Sequence, residues 1–133
     1  MQRHIRVLLA DDRPHTREGL RALLATVRLS AHGDVRSEVE VVGEAADGQE
    51  AVRLVEECHP DVVLMDARMP VMDGLEATRR IKDNWPAVKV IMLTMYGSYR
   101  SDALAAGADA FVNKADPPEQ LLETILTINR TAA

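Results

Sequence analysis

Asp11, Asp12 and Asp66 are the residues on which chemistry can be built. Each stands at the end of an apolar run. Ile5-Arg6-Val7-Leu8-Leu9-Ala10 precedes the first two, and Val62-Val63-Leu64-Met65 precedes the third. Short apolar runs suit strands of a parallel sheet that is covered on both faces. If the two strands are neighbours, their C-terminal ends bring three carboxylates into one small region. Such a cluster repels itself unless a cation neutralises it. Taken singly, Asp11 and Asp12 also read as helix caps, and Asp66 as a loop acid.

Two more strand ends carry polar groups that fit the same site: Thr94, after Val88 to Leu93, and Lys114, after Ala110 to Asn113. An all-oxygen carboxylate set suits Mg²⁺, which needs only one or two carboxylates together with water and phosphate oxygens. Lys114 supplies a compact positive charge for a carboxylate or for phosphoryl oxygens. Thr94 supplies a hydroxyl to the same oxygens. An aspartate can itself act as a nucleophile and form an aspartyl phosphate. What such a transfer demands is alignment and charge neutralisation, which a metal, a lysine and a hydroxyl can meet.

The rest of the chain must bring these strand ends together. Pro14 opens a first helix whose Leu20, Leu23, Leu24 and Val27 recur at helical spacing. A long connection from Arg28 to Glu38 follows, with His32-Gly33-Asp34 as its expected turn. Val39 to Glu44 is the second strand. Asp47 is placed to cap a second helix over Gly48 to Glu57, with Ala51, Leu54, Val55 and Cys58 facing inward. Pro60 ends that pattern before a third strand, Asp61 to Met65. A Pro- and Gly-containing loop, Ala67 to Gly74, leads to a third helix carrying Leu75, Ala77, Thr78 and Ile81, which ends before Pro86. A short helix is expected around Asp102 to Ala106. The last helix starts with Asp116 as cap and Pro117 in first position, and buries Leu121, Leu122, Ile125 and Leu126. Five strands alternating with five helices imply an α/β fold, a doubly wound parallel sheet. In the order 2-1-3-4-5, strands 1 and 3 are central neighbours where the winding reverses, and ligands bind at that crevice.

Composition narrows the function. A chain of 133 residues, 47% hydrophobic and 28% charged, fits one globular domain. Its net charge of −5 makes it a poor grip for a polyanionic backbone, so any action on DNA must come through another domain. The one cysteine, Cys58, excludes an internal disulfide, and His4, His15, His32 and His59 show no ligand spacing. There is no Gly-x-Gly-x-x-Gly after the first strand and no Walker-type loop. No apolar stretch approaches the roughly 18–20 residues of a membrane span, and residues 1–20 hold no signal-peptide core. These features lead us to expect a cytoplasmic protein without membrane attachment.

Several phrases then combine: Leu9-Ala10-Asp11-Asp12, Val42-Gly43-Glu44-Ala45-Ala46-Asp47-Gly48, Leu64-Met65-Asp66, Met69-Pro70, Met72-Asp73-Gly74-Leu75-Glu76-Ala77, Leu93-Thr94, Ala106-Gly107-Ala108-Asp109 and Lys114. In this order and spacing the chain resembles a response-regulator receiver domain of bacterial two-component systems. It is most similar to the receivers of LuxR/NarL-type transcriptional regulators. The resemblance implies a flavodoxin-like receiver fold over residues 1–128, with 129–133 as the start of a linker or tail. It implies that Asp66 accepts a phosphoryl group from a sensor histidine kinase. It implies that Asp11, Asp12, Asp66 and the backbone carbonyl of Arg68 hold Mg²⁺, and that Lys114 contacts the phosphoryl oxygens. Thr94 and Phe111 match its switch pair; the lesser readings are Phe111 as core and Thr94 as a β-branched strand end. The chain would then be a switch rather than an enzyme, with homodimerisation on phosphorylation. Transcription would be controlled through a helix-turn-helix domain absent from this chain.

The alternative is a stand-alone receiver acting through protein contacts. A haloacid-dehalogenase-like phosphatase would want a second acid two residues past its nucleophile, where this chain has Arg68. Three departures from the receiver pattern stand out. The 28–38 connection is long, which makes it a candidate partner or dimer surface. The segment from Thr94 to Gly107 is short, which predicts a trimmed or displaced fourth helix. Ala115 stands where many receivers have a cis-proline, which predicts a trans loop.

Overall fold

A computed structural model of the chain describes residues 2–27 and 36–130. Strands β1 (Gln2–Ala10), β2 (Arg36–Ala45), β3 (Val62–Met65), β4 (Lys89–Thr94) and β5 (Ala110–Asn113) form one parallel sheet in the order β2-β1-β3-β4-β5. Helices α1 (Pro14–Ala25), α2 (Gly48–Cys58), α3 (Gly74–Asn84), α4 (Arg100–Ala105) and α5 (Pro118–Arg130) connect or follow them. The expected α/β fold and strand order are therefore those observed.

Alternation along the strands sorts the core into two layers. Ile5, Val7 and Leu9 of β1, Val62 and Leu64 of β3, and Ile91 and Leu93 of β4 pack on one face with Leu24 of α1 and Leu121 and Ile125 of α5. Leu8, Ala10, Val63, Met65, Val90 and Met92 pack on the other with Ala51, Val55, Ala77, Ile81 and Ala103 from α2, α3 and α4. Successive side chains of a strand point to opposite faces, so a near-continuous apolar run feeds both layers at once.

Two of the helices, α2 and α3, start at side-chain caps. Asp47 accepts from the Glu50 N–H and Asp73 from the Glu76 N–H, each at 2.8 Å. Gly74 is required by close approach: a Cβ there would lie 1.9 Å from the Asp66 carbonyl oxygen. At Gly48 a Cβ would meet the Met72 carbonyl at 2.2 Å, while the Gly48 N–H donates to that oxygen at 2.8 Å. The loop between β3 and α3 is thus clasped by α2 on one side and by its own helix on the other. Within that loop Val71 takes φ 69°, where a β-branched residue is strained. Trp85 ends α3, donating its N–H to the Ile81 carbonyl at 2.7 Å and accepting from the Val88 N–H at 3.0 Å.

Several boundaries differ from expectation. β2 begins at Arg36, inside the supposed connection, because pairing with Gln2 to His4 of β1 extends it through polar residues. The 28–35 part of that connection, with the His32-Gly33-Asp34 turn, lies outside the described residues. α4 is a six-residue helix at Arg100–Ala105, preceded by a 3₁₀ turn at Gly97–Tyr99, in line with a trimmed fourth helix. Asp116 does not cap α5 as expected. Its carboxylate accepts from the Asn113 N–H at 3.2 Å, and the helix starts at Pro118. α5 continues to Arg130, past the expected domain end at residue 128. No peptide bond among the described residues is cis.

Candidate functional site

The site is assembled one step past the paired ladder. The Asp11 N–H donates to the Ala45 carbonyl at 3.0 Å and closes the β1–β2 pairing. The Asp66 N–H donates to Ala10 at 2.9 Å, closing β1–β3, and the Lys114 N–H donates to Thr94 at 2.9 Å, closing β4–β5. Asp11, Asp66 and Lys114 are therefore each held by the last hydrogen bond of a strand pair, which fixes the Cα while freeing the side chain to face the crevice.

Asp11, Asp12 and Asp66 each bring a carboxylate oxygen within 4.8 Å of the others. Asp11 and Asp66 are buried, 2% and 8% exposed, whereas Asp12 is exposed. Asp11 is tied at every polar atom. Its Oδ1 accepts from the Arg13 N–H at 2.8 Å, its Oδ2 from Lys114 Nζ at 2.6 Å, and its carbonyl from Arg17 Nη1 at 2.6 Å. Lys114 Nζ also lies 3.7 Å from Asp66 Oδ2. The pKa of Asp66 is raised, first because burial penalises its charge and further because Asp11 and Asp12 repel it. Lys114 and the Arg68 backbone N–H pull the other way without cancelling the rise.

An open cleft of about 480 Å³ leads to these groups, lined by Arg13, Arg68, Met69, Pro70, Thr94, Met95 and Tyr96 beside Asp12, Asp66 and Lys114. Thr94 is buried, and its hydroxyl oxygen accepts from the Tyr96 N–H at 3.3 Å. Phe111 pairs in register with Met92 on β4, two residues before Thr94, and so shares the face Thr94 looks toward. It is half-buried against the α2–α4 core layer, and the Arg100 guanidinium lies 6.0 Å from its ring centre. Of the residues singled out from sequence, Asp11, Asp12, Asp66, Lys114 and Thr94 converge. Phe111 stands behind Thr94 rather than in the cleft.

Sequence reasoning missed two features. The Arg68 guanidinium lies over the Tyr96 ring at 5.4 Å at the cleft mouth, and Tyr96 in turn meets Tyr99 edge-on at 6.2 Å. The pairing joins two loops, and nothing local in the chain announces it. The second feature, Arg17 and Arg21 both on Glu44 at 2.9 and 2.6 Å, did have a signal. Two arginines at i, i+4 on one helix face can converge on a single acid.

Residues 7–126 match the family model described as the response regulator receiver domain. The transcriptional regulatory protein YhcZ of Bacillus subtilis is 41% identical over 122 residues, covering 90% of this chain and 53% of YhcZ. The response regulator protein VraR of Staphylococcus aureus is 38% identical over 130 residues, covering 95% of this chain and 57% of VraR. The chain thus spans about half the length of these curated relatives. Among solved structures, the signal receiver domain of the response regulator NarL from Mycobacterium tuberculosis superposes with a TM-score of 0.82 at 31% identity, over 96% of this chain and 98% of that one. A LuxR-family two-component response regulator from Aurantimonas sp. SI85-9A1 gives 0.78 at 36% identity, over 94% and 84%. Carboxylates at the β1–β3 junction, a lysine reaching them from β5 and a match over nearly the whole length lead to one conclusion: the chain belongs to the response regulator receiver domain family.

Proposed function

We propose that this domain is a phosphorylation-controlled switch in which Asp66 accepts a phosphoryl group from the phosphohistidine of a sensor histidine kinase. The observation that carries the reading is the placement of Asp66: nearly buried, at the end of the open cleft, with two further carboxylates and a lysine around it. An Asp66 carboxylate oxygen attacks phosphorus, the P–N bond breaks, and the imidazole leaves with the electron pair and takes up a proton. Lys114, between Asp11 and Asp66, is within reach of the oxygens of the new phosphoryl group. Thr94 offers its hydroxyl to the same oxygens, which would draw it from the Tyr96 N–H and open space for the Phe111 ring.

The donor set fits Mg²⁺: three hard carboxylates within 4.8 Å, only one of them held closely by a lysine. Asp11, Asp12, Asp66 and the Arg68 carbonyl would hold it. When bound, the cation neutralises the carboxylates and the charge on the transferring group. The domain is a signalling acceptor rather than an enzyme with turnover. We place it in the cytoplasm, and no helix among the described residues is long and apolar enough to cross a membrane. Its output would be transcription, by a homodimer formed on phosphorylation that meets DNA through a helix-turn-helix domain outside this chain. The names of the relatives YhcZ and LnrK of Bacillus subtilis, both transcriptional regulatory proteins, support transcription as that output.

The test is intact mass after exposure to acetyl phosphate. Wild type should gain one phosphoryl mass with Mg²⁺ and little without it, and Asp66→Asn should gain none. Label retained on Asp66→Asn would move the acceptor elsewhere.

A further inference from the structure

We infer that Arg17 is a positioning residue for the acidic turn, gripping the peptide that joins Asp11 to Asp12 and thereby setting the affinity for Mg²⁺. The inference rests on the metal-dependent acceptor reading above. Arg17 Nη1 donates to the Asp11 carbonyl oxygen at 2.6 Å, while Nε of the same guanidinium donates to Glu44 Oε1 at 2.9 Å. A guanidinium is a rigid plane with donors on fixed edges, so anchoring one edge on Glu44 aims the other at the carbonyl. Glu44 is fixed in turn by its place near the end of β2, and the exposed Arg21 only adds an ion pair at its other oxygen, with Nη1 at 2.6 Å. Arg17 is largely covered, 17% exposed, whereas Arg21 is 59% exposed and does not touch the turn.

The peptide held by Arg17 matters because the two acids differ in what else restrains them. The Asp11 side chain is tied at both oxygens, by the Arg13 N–H and Lys114. Asp12 is exposed, so its direction toward the cluster is set by the backbone that carries it. Arg17 fixes that backbone without lining the cleft itself. A hydrogen bond from a cation to a carbonyl is stronger than a neutral one and tolerates little displacement.

Charge and position have opposite signs here, which makes the inference testable. Removing a nearby positive charge should tighten the binding of a cation. Losing the grip on the turn should weaken it, by about tenfold if Arg17 ranks with other outer-shell partners of metal ligands. The experiment is calorimetric titration of the protein with Mg²⁺ alone, for wild type, Arg17→Met, Arg17→Lys and Arg21→Met. Thermal melts without metal confirm that each variant is folded. The expected result is about tenfold weaker binding for Arg17→Met, an intermediate loss for Arg17→Lys, and wild-type affinity within about twofold for Arg21→Met. Unchanged or tighter binding by folded Arg17→Met overturns the inference, as does equal weakening by Arg17→Met and Arg21→Met. If Arg17→Met does not fold, Arg17→Lys decides. It keeps the charge but not the fork, so weaker binding supports the grip and wild-type binding overturns it. Absence of Mg²⁺ binding by wild type would instead defeat the metal-site reading, and this inference with it.

Discussion

The Lys114 ammonium lies 2.6 Å from Asp11 Oδ2 and 3.7 Å from Asp66 Oδ2, so the lysine is partnered first with the acid that is not the proposed acceptor. Both carboxylates are buried and the lysine side chain is 15% exposed. A charge pair this covered is costly to break from one side, because the remaining ion keeps its desolvation penalty.

Lys114→Met should therefore lower the stability of the metal-free protein by on the order of 2–3 kcal/mol, somewhat under the loss for a fully buried pair. Mg²⁺ should restore more stability to this variant than to wild type, because the cation supplies the charge that Asp11 has lost. Urea unfolding with and without Mg²⁺ measures both quantities. Equal stability without metal would mean that the ion pair contributes nothing in solution.

The raised pKa of Asp66 predicts a pH dependence of definite sign. A carboxyl whose folded value exceeds its ordinary 3.8 holds its proton more tightly in the fold than in the unfolded chain. Its contribution to stability is fully present below the unfolded value and is lost as pH rises through the folded one. Asp66→Asn cannot ionise and escapes that loss. In Mg²⁺-free buffer, the stability of Asp66→Asn relative to wild type should rise as pH climbs above the ordinary 3.8 and level off once Asp66 is ionised in the fold. Parallel unfolding curves at each pH test this, and a constant difference would show that Asp66 ionises in the fold as freely as outside it.

Gly74→Ala should damage the fold from inside the site. The added Cβ would lie 1.9 Å from the Asp66 carbonyl oxygen and 3.0 Å from the Ala67 Cα, both backbone atoms that cannot rotate away. The loss should reach or exceed the upper end of the roughly 1–3 kcal/mol typical of overpacking. Gly19→Ala is the control, since a Cβ there meets nothing within 4 Å. It should be neutral or slightly stabilising, as helix propensity favours alanine by about 1 kcal/mol. Chemical denaturation of the two variants side by side would expose any error in this contrast.

Beryllofluoride, which stands in for the phosphoryl group, should strengthen self-association of wild type by about fivefold or more if Thr94 and Phe111 form a bistable pair. Thr94→Ala removes the hydroxyl and leaves Asp66, Asp11 and Asp12 in place, so its shift should be much smaller. Sedimentation at one protein concentration, with Mg²⁺ in every sample, compares them. Equal shifts would leave Phe111 as core filler beneath Arg100.

Much of the site was legible because its residues mark strand ends. Apolar runs that stop on Asp11, Asp66, Thr94 and Lys114 declare both the sheet and the edge where ligands gather. Caps were legible where a side chain bonds within its own turn, as at Asp47. They failed at Asp116, whose carboxylate turns back to the Asn113 N–H. The start of β2 was hidden because Arg36, Ser37 and Glu38 are polar, and only pairing with β1 makes them a strand. The stack of Arg68 on Tyr96 joins residues from different loops, which periodicity cannot report.

Trp85, the only tryptophan, has an optical consequence. It sits where α3 hands over to β4, beyond the opposite end of that strand from Thr94, and the strand from Lys89 to Thr94 alone spans roughly 16 Å at the rise of a parallel strand. Its half-buried indole packs against the core layer formed by α2, α3 and α4. Its fluorescence is therefore a gauge of whether that corner of the molecule is folded. Metal and phosphoryl ligands at the cleft stand too far off to quench it by contact. Unfolding curves read from this one chromophore can then be compared with and without ligand, with no optical signal from the ligand to subtract.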